Sequence, residues 1–387
     1  MKVLETSSQR QPFSPPGAGT RNLSPTHLPQ DVTLRARRLA EFSNHQQVWE
    51  CRHPASGLHA FIAVHDTTLG PALGGCRMWP YGSTDHALGD ALRLSRGMTY
   101  KAALAGVALG GGKAVILGDP KTGKSERLFH AFGAMVEALG GLYITAEDVG
   151  TSVGDMDWIA ETTAHVTGTS RNGGDPSPMT ALGVYEGIRA AVKHRLGSTD
   201  LSEVTVAVQG LGHVGRALCQ RLAADGANLI VADVDADAVK FAVDELGATA
   251  TEADRIHAVA ADVFAPCALG AVLDDETVPA LRSAIVAGAA NNQLAQDRHG
   301  QELHRRGILY APDYVINAGG LISVAQAVAG EDASGTKAWS AVRRIGAVLS
   351  EIFDRAEAEG RSPGAIADRL AVERIAGHRR GAREAKR

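Results

Sequence analysis

Two lysines only 12 residues apart, Lys101 and Lys113, are the first residues in the chain whose type and setting could do chemistry. Lys101 closes a stretch of helical spacing. Lys113 follows three glycines and runs straight into the apolar stretch Ala114–Leu117, which is not the setting of an ordinary solvated lysine. Burial and a neighbouring cation both disfavour the ammonium form, so both lower a lysine pKa and can make the side chain a base near neutral pH. A P-loop is excluded, because Lys113 is followed by Ala rather than Ser or Thr and the glycine spacing is wrong. The glycines also read as a plain lead-in to a strand, and the residues alone leave both readings open.

The second signal is Gly210-Leu211-Gly212-His213-Val214-Gly215, which follows the strand-like VTVAVQ and opens a helical pattern. In that context the first glycine allows a tight turn, the second lets a pyrophosphate approach the backbone, and the third lets helix and strand pack closely. The free N–H groups and positive dipole end of the helix then favour phosphate. Asp233 ends the next strand, 18 residues after Gly215. An acid there accepts hydrogen bonds from a ribose 2′-OH and repels a 2′-phosphate, and no arginine follows it, so the expected cofactor is NAD rather than NADP.

The elements that must position these residues divide into two domains. Over residues 31–180 strands mix with helices. Leu58–His65 alternates like a strand, Ser83 can cap a helix carrying Leu88, Ala91, Leu92 and Met98, and Ala114–Leu117 and Leu142–Thr145 read as central strands. Leu128, Phe132, Met135, Val136 and Leu139 form an ordinary apolar helix stripe. Over residues 181–330 strands and helices alternate, with strands at 204–208, 229–232, 262–265 and 284–287. That pattern implies an α/β fold with a doubly wound parallel sheet covered by helices on both faces. Residues 331–376 read as C-terminal helices packing back across the domains. Residues 1–30, rich in Ser, Pro, Gln and Thr, read as a disordered extension, and 377–387 as a basic tail.

Composition narrows the function classes. A chain of 387 residues suits two domains, and 44% hydrophobic with 21% charged residues is globular. The net charge of −4 gives no global pull toward nucleic acid or an anionic membrane. No apolar run reaches the ~18 residues a membrane span needs. Four scattered cysteines form no CxxC pair, so no metal site is expected and a reducing cytoplasm fits. The 44 glycines, without a period, point to turns and close backbone approaches.

GGCRM, GMTYK and LGGGKAVILGDP, followed in order by TAEDVG, DPSPMTALGVY, VQGLGHVG, FAPCALGA, GAANNQL and YAPDYVINAGG, resemble the glutamate/leucine/phenylalanine/valine dehydrogenases over about residues 40–376. The resemblance implies a catalytic domain and a Rossmann-type NAD-binding domain in a closed homo-oligomer. It implies oxidative deamination of an amino acid to a 2-oxo acid and ammonia. It assigns Lys113 as the base that activates water and Asp148 as the acid that shuttles protons at nitrogen. Lys101 is matched to the substrate α-carboxylate, helped by Gly74, Gly75 and Met78. Thr180 and Asn292 are matched to the nicotinamide end, and Asn317 to the substrate amine.

Leu73, Gly74, Ala146, Leu321 and Val324 match the side-chain pocket of the leucine branch, with Leu321 where valine is usual and Cys76 where many relatives have threonine. No charged residue is among them, so a branched aliphatic amino acid is expected and glutamate is not. An aromatic amino-acid dehydrogenase is the rival reading. A catalytically silent NAD-binding sensor is a third, argued against by the presence of Lys101, Lys113 and Asp148 together.

Overall fold

The structure is a computed structural model that describes residues 33–36, 44–171 and 174–384. The N-terminal segment expected to be an extension lies outside the described residues. The first sheet comprises β1 (Thr33–Ala36), β2 (Gln47–His53), β3 (Leu58–Asp66), β4 (Ala72–Trp79), β5 (Gly110–Leu117) and β6 (Tyr143–Glu147). Its order is β1-β2-β3-β5-β4-β6. Strands β1, β2, β3 and β5 pair antiparallel, whereas β4 lies parallel to both β5 and β6. Helix α1 (Thr84–Ala105) covers one face, where Ala87, Leu88 and Ala91 pack on Phe61, Ala63 and Val115. Helices α2 (Glu126–Ala138) and α3 (Val153–Ala160) cover the other, burying Phe129, Phe132, Met135 and Ile159 against Ile62, Met78 and Ile116. Each of these large side chains contributes roughly 1.5–3 kcal/mol by leaving water.

Helix α1 starts where the sequence predicts. The Ser83 side chain accepts from the His86 N–H, and Gly106, at φ +66°, ends the helix in the left-handed region that glycine tolerates. Lys101 therefore stands a turn inside the helix rather than at its end. The glycine run also differs from a lead-in: Gly110, Gly111 and Gly112 lie within β5 itself. A Cβ on Gly111 would stand 2.1 Å from the backbone N of Thr99, and one on Gly112 would stand 2.7 Å from the Tyr143 ring. The run lets α1 and a buried tyrosine press on the strand, and so brings Lys113 under α1.

The long α4 (Ser177–Leu196) leads into a second sheet of β7 (Thr205–Gln209), β8 (Asn228–Ala232), β9 (Thr249–Ala250), β10 (Val263–Pro266), β11 (Ile285–Val286) and β12 (Leu309–Tyr310). All its pairs are parallel, in the order β12-β11-β10-β7-β8-β9, so the chain reverses direction across the sheet between β7 and β10. The other helices of this half are α5 (His213–Ala224), α6 (Ala236–Leu246), α7 (Thr277–Ala280), α8 (Asp297–Arg305), α9 (Asp313–Ile316) and α10 (Gly319–Val328). One sheet face packs on α4 and α5 through Val206, Val208, Leu218 and Leu222, and the other buries Phe264, Val286, Leu303 and Tyr310.

The C-terminal stretch is two helices, α11 (Thr336–Glu359) and α12 (Pro363–Glu384), separated at Gly360 with φ +61°. Helix α12 returns to the first sheet. Arg374 donates to the carbonyl of Leu104, and Arg379 donates to Thr68 and Asp66. Among the described residues no helix is long and apolar enough to cross a membrane.

Candidate active site

Lys113 is held in mid-strand. Its pairing partner on β3 is an alanine, Ala63, and the side chain is only 7% exposed. Asp148 follows β6, and its loop is pinned from several directions. The Asp148 N–H donates to Thr151 Oγ1 at 3.0 Å, and that hydroxyl donates to the Cys76 carbonyl at 2.9 Å. A Cβ on Gly75 would lie 2.7 Å from Asp148 Cβ, so only glycine leaves room for the acid there. The result is a Lys113 Nζ to Asp148 Oδ2 separation of 2.5 Å. Burial pushes the Lys113 ammonium down from its ordinary value, although Asp148 opposes the shift. Burial alone would raise Asp148, but the cations of Lys113 and Arg77 outweigh it and hold the carboxylate below its ordinary value. Both groups thus give up a proton more readily than usual, so the pair can hold one proton loosely on Lys113 beside an anionic Asp148.

Lys101 lies on the same side of the sheet and reaches into the second half of the chain. Its Nζ donates to Asn317 Oδ1 at 2.7 Å. The Asn317 amide nitrogen donates in turn to Asn291 Oδ1 at 2.8 Å and to the Ala289 carbonyl at 3.0 Å. Burial lowers the Lys101 ammonium to about 8, with Asp313 pulling it back toward its ordinary value. Asp313 begins the turn that ends at Asn317 and is itself raised, because burial outweighs Lys101 and the surrounding backbone N–H groups. An ammonium with spare donors in a water-poor cleft suits a carboxylate ligand.

Leu73, Leu321 and Val324 belong to one apolar cluster that joins β4 to α10, together with Ala102, Leu109, Met98 and Ile144. Ala146 sits on β6 opposite Gly75 and is outside that cluster. Gly74 is closed on the strand side, where a Cβ would lie 1.7 Å from the Gly112 carbonyl oxygen.

At the glycine loop Gly210 has φ +96°, and a Cβ on Gly215 would lie 1.9 Å from the Gly210 carbonyl oxygen. The same test at Gly212 meets no atom within 4 Å, so the space before the α5 N-terminus is open for a phosphate. Leu211 is buried and holds the loop, Val214 packs on the core, and the His213 side chain is 86% exposed. Asp233 directly follows β8 and accepts from the Leu211 and Asp235 N–H groups, which fixes the carboxylate beside that opening. Thr180, in the first turn of α4, donates to the Pro176 carbonyl and faces Gly320 of α10. These residues fit a dinucleotide laid across the point where the sheet order reverses.

Two residues depart from the expectation. The Met78 side chain is fully buried in the α2–α3 core, because strand alternation turns it to the opposite face from Arg77. The methionine that joins the lysine face is Met98, one helical turn before Lys101. Asn292, at φ +51°, accepts from Arg93 at 3.2 Å instead of turning inward, and Asn291 makes the contact to Asn317. The i,i+3 spacing of Met98 and Lys101 and the i,i+4 spacing of Asp313 and Asn317 are the sequence signals for the residues missed. Away from this cleft, Glu126, His130 and Glu161 are the one grouping of metal-ligating types among the described residues, and both carboxylates are exposed.

Comparison with known proteins agrees with this geometry. The model of the Glu/Leu/Phe/Val dehydrogenase dimerisation domain matches residues 45–165, and the Glutamate/Leucine/Phenylalanine/Valine dehydrogenase model matches residues 231–376. The chain is 51% identical to leucine dehydrogenase of Bacillus cereus over 348 residues, covering 89% of this chain and 94% of that one. It is 48% identical to valine dehydrogenase of Streptomyces albus over 357 residues, covering 91% and 97%. It is similar to the crystal structure of L-tryptophan dehydrogenase from Nostoc punctiforme, with a TM-score of 0.78, 44% identity and coverage of 87% and 97%. With both halves of the cleft matched in order and close to half of the residues identical to these relatives, the chain belongs to the glutamate/leucine/phenylalanine/valine dehydrogenase family of amino-acid oxidoreductases.

Proposed function

We propose that the protein catalyses NAD-dependent oxidative deamination of branched-chain L-amino acids to 2-oxo acids and ammonia. The observation that carries the reading is the pairing of Lys113 Nζ with Asp148 Oδ2 at 2.5 Å, beside a second enclosed lysine, Lys101, and an apolar wall. Lys101 anchors the substrate α-carboxylate and so fixes Cα. A bound nicotinamide dinucleotide, held by the 210–215 loop, Asp233 and Thr180, supplies the acceptor for the Cα hydride. Lys113, neutral, takes a proton from the water that attacks the imino carbon. Asp148 passes protons to and from the nitrogen that leaves as ammonia, and closure of the cleft keeps other water from the imine.

Leu73, Leu321 and Val324 favour an aliphatic side chain at about 0.8 kcal/mol per buried CH₂, and a side-chain carboxylate there would lack a partner. Asp233 favours NAD over NADP. The family's dimerisation-domain match over residues 45–165 supports assembly of copies of this chain. Four free cysteines, with no disulfide between them, suit a reducing cytoplasm.

The test is turnover of leucine, isoleucine, valine, phenylalanine, tryptophan and glutamate with NAD and NADP, followed by nicotinamide absorbance. The three branched substrates with NAD should give the highest kcat/KM. An aromatic substrate is the second reading, favoured by the similarity to a tryptophan dehydrogenase. A higher kcat/KM for phenylalanine or tryptophan than for all three would establish it instead.

A further inference from the structure

Arg77 is enclosed between two carboxylates. Its Nε donates to Asp148 Oδ2 at 3.2 Å, and its Nη1 donates to Asp90 Oδ2 at 2.9 Å. Asp90, on α1, is fixed by two further donors: Tyr81 OH at 2.7 Å on Oδ2 and Arg93 Nη2 at 2.8 Å on Oδ1. Lys113 and Arg77 meet on the same oxygen of Asp148. Lys113, Asp148, Arg77 and Asp90 thus form a row of alternating charge, and none of their side chains is more than 20% exposed.

We propose that Arg77 is the positioning residue of this site: its guanidinium aims the Asp148 carboxylate at Lys113 and, as a fixed cation, keeps the proton of the pair loosely held. This rests on the reading of Lys113 and Asp148 as the catalytic pair. A base works in its neutral form, and an acid partner that stays anionic would pull the proton back onto the lysine. The permanent charge of Arg77 opposes that pull: seated on the same Asp148 oxygen, it offsets part of the carboxylate's field and destabilises the Lys113 ammonium directly, while Asp148 stays the anion. The charged and titratable groups around Lys113 are Arg77 and the Cys76 thiol on β4, Asp148 after β6, Tyr143 on β6, Lys101 on α1 and, beyond Lys101, Asp313. Strand β3 offers only Ala63 opposite it. Arg77 is the only group among these whose charge is independent of pH across the working range.

The experiment is the pH profile of kcat/KM for the full chain and its variants. In parallel, the ¹³C shift of Lys113 is titrated by NMR, assigned with Lys113→Arg. Arg77→Gln should move the ascending limb and the NMR midpoint higher by about one pH unit and lower kcat at neutral pH by about tenfold or more. Arg77→Lys should return both midpoints most of the way, because the cation is restored. Asp90→Asn should move them lower, since it removes the anion that screens Arg77. A residue that served only packing would lower kcat at every pH and leave the midpoints in place. Midpoints unchanged in folded Arg77→Gln, or no recovery in Arg77→Lys, would overturn the proposal. If Arg77→Gln does not fold, the opposite shift in Asp90→Asn, or its absence, decides it. If the wild type turned over no amino acid, the proposed reaction would fail, and the NMR midpoint would still judge Arg77.

Discussion

Lys101 Nζ donates to Asn317 Oδ1 at 2.7 Å, a bond between residues 216 positions apart that joins α1, on the first sheet, to the turn after α9, beside the second. Asn317 is itself fixed by Asn291 and the Ala289 carbonyl, so the lysine meets a preset acceptor. An ammonium has three N–H donors, and the remaining ones are available to a substrate carboxylate.

Lys101→Ala should raise KM for the amino acid at least about 30-fold, the equivalent of about 2 kcal/mol for a lost charge partner, with kcat less affected. The pH dependence has a defined sign. With Lys101 at about 8, the ammonium is lost as pH rises through that value, so wild-type KM should climb above pH 8. Its contribution to folding runs the other way. A lysine lowered from 10.5 to about 8 opposes folding while charged, and that penalty is relieved as pH rises from 8 toward 10.5. Initial-rate kinetics across this range check the first statement, and urea midpoints of wild type against Lys101→Met check the second.

Lys113→Ala should lower kcat by about 10²- to 10⁴-fold, the scale of general acid–base catalysis, while NADH binding followed by fluorescence stays within about twofold. The lysine is on β5 and the glycine loop is after β7, so removing the base leaves the dinucleotide residues untouched. A variant with near-normal kcat would require another base.

Asp233→Ala should narrow the preference for NAD over NADP. The carboxylate is already fixed by the Leu211 and Asp235 N–H groups, so it stands ready for a ribose hydroxyl. The same two bonds predict a cost: releasing the Leu211 N–H loosens the glycine loop, and KM for NAD should rise as KM for NADP falls. Equal use of both cofactors by the wild type would remove this role from Asp233.

Leu321→Val and Leu321→Ala should change the ranking among leucine, isoleucine, valine and phenylalanine without changing NAD affinity. Leu321 is 7% exposed and packs with Leu73 and Met98. Removing a methylene there alters discrimination by about 1–3 kcal/mol, or roughly 10- to 200-fold in the ratio of kcat/KM values. The substrate panel repeated on each variant measures it.

Much of the scaffold was legible in the residues because the physical signals are local. Ser83 caps α1, the apolar stripe on α2 has helical period, and Val204–Val208 followed by a glycine loop specifies a strand, a turn and a helix. The sequence pattern does not mark β1 or β2, nor the strands with the weakest local signature. Strand β4 carries Gly74 and Gly75, and β9 and β12 are only two residues each. Two-residue strands gain their pairing from neighbours, and glycine has little strand preference of its own.

The sequence by itself determined which chemical groups this protein has: a dinucleotide loop with its acid, two lysines, an aspartate and an apolar set of candidate pocket residues. Their types and local spacing already restrict the reaction. Only the tertiary structure decided how they meet. Strand alternation sends Met78 into the core and leaves Arg77 on the lysine face, and no local signal at a methionine records which face will be buried. The turn at Asn292 has positive φ, and the side chain that reaches Asn317 is that of Asn291, its neighbour. Arg77 between Asp148 and Asp90, like Lys101 on Asn317, is a contact between distant segments. Such contacts depend on how two sheets and the helices between them pack, and that packing is a property of the whole chain rather than of any stretch of it.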